Sequence, residues 1–140
     1  MLSRDTEPAP KGHYTPAVVV NGPRQFVFVS GQLPLDPVTG AIEQKDILGQ
    51  ARQSLTNALT VLASVGGTAA DIVKVTIFAT NLEHYDALNA GYAETMQAAR
   101  PARSIVQVAR LPQDAMVEIE LIAALVNHDI AHGDAPSIGD

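Results

Sequence analysis

Cysteine is absent from all 140 residues. That excludes disulfides, thiolate zinc sites, iron–sulfur ligation and a cysteine nucleophile. Tryptophan is also missing, and phenylalanine and tyrosine occur three times each. Basic residues are scarce: 9 Lys and Arg stand against 15 Asp and Glu, a formal charge of −6 that repels a phosphate backbone. With no Lys/Arg run to compensate locally, no nucleic-acid partner is expected. A small anionic metabolite remains possible, since one placed arginine in a concave site acts whatever the overall sign.

No apolar run approaches the roughly 18 uninterrupted residues of a membrane helix. Residues Met1 to Pro10 carry Arg4, Asp5, Glu7 and two prolines in place of a signal-peptide core. The expectation is a soluble, cytoplasmic protein without a membrane partner. His128 and His132 have the i, i+4 spacing of a helical metal pair but lack a third ligand, so no metal is expected. P-loop, dinucleotide, G-x-S-x-G and H-E-x-x-H motifs are all missing.

What remains, 46% hydrophobic, suits one domain burying roughly 70% of the surface its unfolded chain exposes. Val18 to Val20 and Phe26 to Ser30 are β-rich runs separated by Asn21-Gly22-Pro23-Arg24, which predicts a hairpin. The breakers of Gly31 to Gly40 lead the chain away as a loop. Leu48, Ala51, Leu55, Ala58, Leu59, Leu62 and Val65 then recur at helical spacing up to Gly66-Gly67. Ile72 to Thr80 predicts a third strand, with Val73, Val75, Ile77 and Ala79 on one side. A second helix follows Asn81, striped by Leu82, Tyr85, Asn89, Tyr92 and Met96 and ended by Pro101. Ser104 to Val108 and Met116 to Val126 are the last strands.

The expected order is ββαβαββ, an α+β fold with two helices on one face of a sheet. The other face then needs a partner, and oligomerisation is the remedy. The domain is expected to span residues 1–126, with 127–140 a disordered tail, since that stretch has no periodicity.

Two residues draw attention on chemical grounds. Arg103 follows Pro101 at the mouth of a strand, and its planar fork suits a carboxylate bidentately. The plain alternative is a surface arginine. Glu120 sits amid Met116 to Ala124, apolar enough that a carboxylate there should be paired, shielded or functional. If the last two strands form a simple hairpin pairing Val108 with Ala115, Arg103 falls opposite Glu120. A cross-strand ion pair would explain the two equally well. Asn89 places an amide on the Tyr85/Tyr92 stripe, which fits either a wet cleft or a buried asparagine satisfying a loop carbonyl.

Together these segments resemble the Rid family, also called YjgF or L-PSP, over approximately Pro8 to Val126. The resemblance is carried by Gly12-His13-Tyr14, Val29-Ser30-Gly31-Gln32-Leu33-Pro34, Gln50 to Leu55, Asp71 to Thr76, Leu88-Asn89-Ala90-Gly91-Tyr92, Pro101-Ala102-Arg103-Ser104, Val108 to Pro112 and Glu118-Ile119-Glu120. It implies a chorismate-mutase-like fold assembled as a homotrimer, with sheets lining a central barrel and clefts between subunits. It further implies hydrolysis of 2-imino or 2-enamino acids, such as 2-iminopropanoate and 2-iminobutanoate, to 2-keto acids and ammonia, without metal or organic cofactor.

By the same resemblance the carboxylate-binding arginine falls on Arg103 and the water-positioning glutamate on Glu120. The binding residues fall on Tyr14, Ser30 and Asn89, and a backbone carbonyl on Ile105. The chain departs from the family at His13, where proline is frequent, and at Ile105, where cysteine is frequent. The competing reading is a module that binds a keto acid or other small carboxylate without turnover; RNA cleavage, attributed to some relatives, is opposed by the acidic balance.

Overall fold

The computed structural model describes residues 11–126. The expected tail, 127–140, lies outside the described residues. Six principal elements follow one another: β1 (Arg24–Gln32), α1 (Ile47–Ala63), β2 (Ile72–Ala79), α2 (Tyr85–Met96), β3 (Ala102–Gln107) and β4 (Val117–Val126). Single 3-10 turns precede β2, α2 and β4. The order is βαβαββ, one strand fewer than expected.

Asp46 starts α1, its carboxylate accepting the Gly49 N–H at 2.8 Å. The apolar spacing then buries Ile47, Ala51, Leu55, Ala58 and Leu62 along one face. The helix ends in a Schellman arrangement: Gly67 N–H donates to Leu62 O, Gly66 N–H donates to Ala63 O, and Gly66 adopts φ +88°. Asn81 caps the turn that leads into α2 by accepting from Glu83 N–H. That helix stops at Met96, ahead of the expected Pro101, where Gln97 takes a positive φ of 56°. Its buried stripe runs through Leu88, Tyr92 and Met96, while Leu82 is 37% exposed. Gly91 lets α2 meet α1, since a Cβ there would strike the Leu48 carbonyl.

The strands make one four-stranded sheet in the order β1-β4-β2-β3. β4 is antiparallel to both neighbours, and β2 is parallel to β3. Val27, Val29, Val75, Ile77, Val117, Ile119 and Leu121 join the helices in the core. The opposite face is open: Phe26 is 54% exposed and Phe28 70%.

Three expectations need correction. Val18 to Val20 do not form a strand, and Val19 is 75% exposed. β-branched propensity yields a strand only where a partner strand pairs with the segment, and the strand that β1 pairs with is β4, not Val18 to Val20. Secondly, the last two strands are not a hairpin, because β2 stands between them. The loop after β3 crosses the end of β2, with Val108 N–H bound to Ala79 O and Thr80 N–H bound to Met116 O. β4, apolar on both sides, thereby enters the middle of the sheet, where both of its edges are paired and one of its faces is covered by the helices. Thirdly, a bulge at Val73 interrupts the alternation of β2, so that Ile72 joins the core.

Candidate active site

Pro101 is buried at the entrance to β3 and releases the chain from its helical path. Two residues later Arg103 pairs with Val75, a core position, and therefore projects its side chain to the helix side of the sheet. There its Nη1 donates to Asn89 Oδ1 and its Nη2 to the Tyr85 hydroxyl, both at 3.0 Å. The guanidinium lies over the Tyr92 ring at 4.7 Å and the Tyr14 ring at 5.5 Å. Cation–π contacts of this kind contribute about 0.5–2 kcal/mol as desolvation increases. The half-buried fork is thus fixed in plane and orientation by four side chains, with further N–H groups left to donate.

Tyr14 belongs to an arm, residues 11–15, that runs beside β3. Thr15 forms a parallel bridge with Ala102, and its N–H donates to Pro101 O at 3.3 Å. Backbone groups of Pro101 point to the arm; alternation along the strand puts those of Ile105 on the same, outer edge, beyond the bridge. The Ile105 side chain packs against the core, while its carbonyl faces the outer edge of β3, which pairs with no strand among the described residues. Gly12 lies so close to the fork that a Cβ would run into the Tyr85 hydroxyl and the Arg103 guanidinium.

Glu120 is elsewhere. Its neighbour across the ladder is Thr76, whose other neighbour is Ser104, so Glu120 stands on the open face. Arg103 and Glu120 occupy opposite sides of the sheet, and the expected cross-strand pairing does not exist. The cause is the inserted β2: counting back along a hairpin register assigns to β3 the place that β2 holds.

Ser30 joins Glu120. It lies in a bulge of β1 between the pairs Val29↔Leu121 and Gln32↔Ile119. A hollow of 270 Å³ on the open face is lined by Phe28, Ser30, Lys74, Thr76, Glu120 and Ile122, among others. Lys74 Nζ donates to Ser104 Oγ at 2.8 Å at its margin. A larger hollow of 510 Å³ between α1 and the loop after β1 contains none of the residues expected to act, and Asp36 is its one ionisable group.

The predicted residues therefore divide into two groups: Tyr14, Asn89, Arg103 and Ile105 at the β3 edge, and Ser30 with Glu120 on the open face. Sequence reasoning did not assign Tyr85, Tyr92 or His13 to the site. The first two were visible as neighbours of Asn89 on one helical stripe. Burial holds the Tyr92 phenol well above its ordinary range, against the opposing influence of Arg103. Among the described residues, no cluster of three His, Asp or Glu side chains could hold a metal.

Comparison with known proteins agrees over nearly the whole chain. The family model described as Endoribonuclease L-PSP matches residues 4–125. A RutC family protein of Pyrococcus horikoshii is 41% identical over 123 residues, covering 88% of this chain and 95% of that protein. The 2-iminobutanoate/2-iminopropanoate deaminase of Salmonella typhimurium is 41% identical over 125 residues, covering 87% and 94%. Escherichia coli TdcF, solved with bound serine, superposes with a TM-score of 0.68 at 38% identity, covering 90% of this chain and 98% of that one.

Proposed function

The chain belongs to the Rid (YjgF/L-PSP) family, and from that premise we propose that it hydrolyses reactive 2-imino and 2-enamino acids to 2-keto acids and ammonia. The observation that carries the reading is the Arg103 fork, stacked on two tyrosine rings and oriented by Asn89 and Tyr85. Such a group suits a planar carboxylate better than it suits a structural ion pair, and no carboxylate of the described chain takes it up. A relative with serine bound and relatives named as deaminases favour a small amino-acid-like ligand.

Arg103 holds the substrate carboxylate and places the imine carbon at the β3 edge. A water, held between the Ile105 carbonyl and Glu120 of a second copy, adds to that carbon while Glu120 accepts its proton. The imine enters protonated on nitrogen, so its carbon–nitrogen double bond becomes single to give a neutral tetrahedral carbinolamine. Glu120 then returns the proton to nitrogen, the carbon–nitrogen bond breaks, and ammonia leaves as the hydroxyl gives its proton back to Glu120 and becomes the carbonyl. An enamine enters after tautomerising to the imine. Since an imine is already electrophilic, orientation and one proton acceptor, worth about 4–6 kcal/mol of barrier, suffice.

The second copy is required because one sheet keeps Arg103 and Glu120 apart. A homotrimer meets that need by setting the open face and its Ser30–Glu120 hollow against the Arg103 edge of the next subunit. It also covers Phe26 and Phe28, whose exposure is costly in an isolated chain. The deciding experiment generates 2-iminopropanoate in place and follows pyruvate and ammonia. Release well above the spontaneous rate supports the proposal; release at the spontaneous rate with correctly assembled protein rejects it.

A further inference from the structure

His13 is 7% exposed and stands where the family frequently has proline. We propose that His13 is a positioning residue for the Arg103 clamp, pinning the arm of residues 11–15 and orienting Asn89; this rests on the function proposed above.

Three contacts carry the inference. The His13 backbone N–H donates to Asn89 Oδ1 at 3.2 Å, and the same oxygen accepts Arg103 Nη1 at 3.0 Å. Proline at this position would have no N–H, leaving Arg103 as the one donor that holds this oxygen among the described residues. With two donors on one oxygen, Asn89 presents a fixed acceptor to the guanidinium. The ring Nε2 is 2.9 Å from the Ala99 carbonyl, which can only accept, so Nε2 carries the proton and the arm is fastened to the turn between α2 and β3. Finally, the imidazole packs edge-on against Tyr92 at 6.0 Å, and Tyr92 is the ring beneath Arg103. One residue thus reaches the acceptor through its backbone, and the stacking ring and the arm that brings Tyr14 over the guanidinium through its side chain.

The ring is held neutral. Burial lowers its pKa below 6.5, with Arg100 and Arg103 acting in the same direction and the Ala99 and Gln97 carbonyls opposing. Among the described residues, Arg100 and Arg103 are the charges that act on it. Because the folded pKa is depressed, the contribution of the pin is complete above pH 6.5 and is lost as pH falls through the folded value. Protonation there adds a third positive charge beside the two arginines and loosens the arm.

The test uses the assembled protein and its His13→Ala and His13→Gln variants. Glutamine can offer an Nε2 donor to Ala99, whereas alanine cannot. Pyruvate, the stable product of the proposed reaction, reports on the clamp by its Kd. Amide hydrogen exchange at Tyr14 and Thr15 reports on the arm. Loss of one buried hydrogen bond corresponds to about a tenfold change. His13→Ala should therefore weaken pyruvate binding and raise KM for 2-iminopropanoate about tenfold, with kcat changed less, and should speed exchange of the arm. His13→Gln should recover most of both.

In the unaltered protein pyruvate Kd should rise as pH falls below 6.5 through the depressed folded value, and in His13→Gln it should rise much less. Unchanged Kd and exchange in His13→Ala would overturn the proposal. If His13→Ala does not fold, a pH response identical in the glutamine variant and the parent would do so. Should the parent fail both to turn over imine and to bind pyruvate, the deaminase reading fails. Exchange of the arm then decides the role of His13 alone.

Discussion

Replacing Arg103 with lysine separates an oriented fork from a mere positive charge. The guanidinium makes two 3.0 Å hydrogen bonds, to Asn89 and Tyr85, and lies over two tyrosine rings. An ammonium on a flexible stem has three donors but no rigid fork to hold two of them parallel, and it has no plane to stack. It keeps the charge that attracts a carboxylate but cannot present two parallel N–H groups while bonded to its own supports. Loss of one charge-assisted bond with the alignment it gives costs about 2–4 kcal/mol, or roughly 30- to 1,000-fold in kcat/KM. The assay is turnover of 2-iminopropanoate generated in place, on protein whose assembly matches the parent by sedimentation. Since Arg103 is half-buried and bonded to neutral partners, the melting temperature should change far less than the activity. A kcat/KM within threefold of the parent would refute the clamp, because charge alone would then be sufficient.

Glu120→Gln should keep pyruvate affinity while lowering kcat by about 10²–10⁴, the range for removal of a general base; equal turnover would move proton transfer elsewhere. Phe28→Asp places a charge on the open face and should shift sedimentation from the proposed trimer to monomer, with activity lost in parallel and α-helical circular dichroism retained. Gly66→Ala should destabilise by about 1 kcal/mol, read from the denaturation midpoint, because φ +88° is costly for any residue with a Cβ and nothing there would gain a contact.

Much of the site was legible residue by residue, and its spatial arrangement was not. The helix of Ile47–Ala63 announces itself through apolar residues at 51, 55, 58 and 62 and through Gly66-Gly67. Arg103 and Asn89 were singled out by their chemistry and Tyr14 through the family resemblance, and the three meet. Glu120 was assigned the wrong neighbour because pairing was deduced from chain order, whereas the sheet places β4 between β1 and β2 with both edges paired. The apolar residues on both sides of Val117–Val126 were the available sign of a central strand. Val18 to Val20 show the converse error, since propensity without a partner leaves an exposed segment. Tyr85 could not have been ranked above Tyr92 from spacing, because which phenol reaches Arg103 depends on how far α2 is rotated over the sheet.

The placement of Arg103 and Glu120 on opposite sides of one sheet bears on inheritance as well as on chemistry. In the proposed trimer a chain defective at Arg103 still carries a sound Glu120, and a chain defective at Glu120 still carries a sound Arg103. Mixed at random, two inactive forms would rebuild about a quarter of the sites, since each site draws one residue from each of two adjacent chains. Alleles that are null alone would therefore complement within a single oligomer. Two defects confined to the Arg103 edge, such as at Arg103 and Asn89, would not.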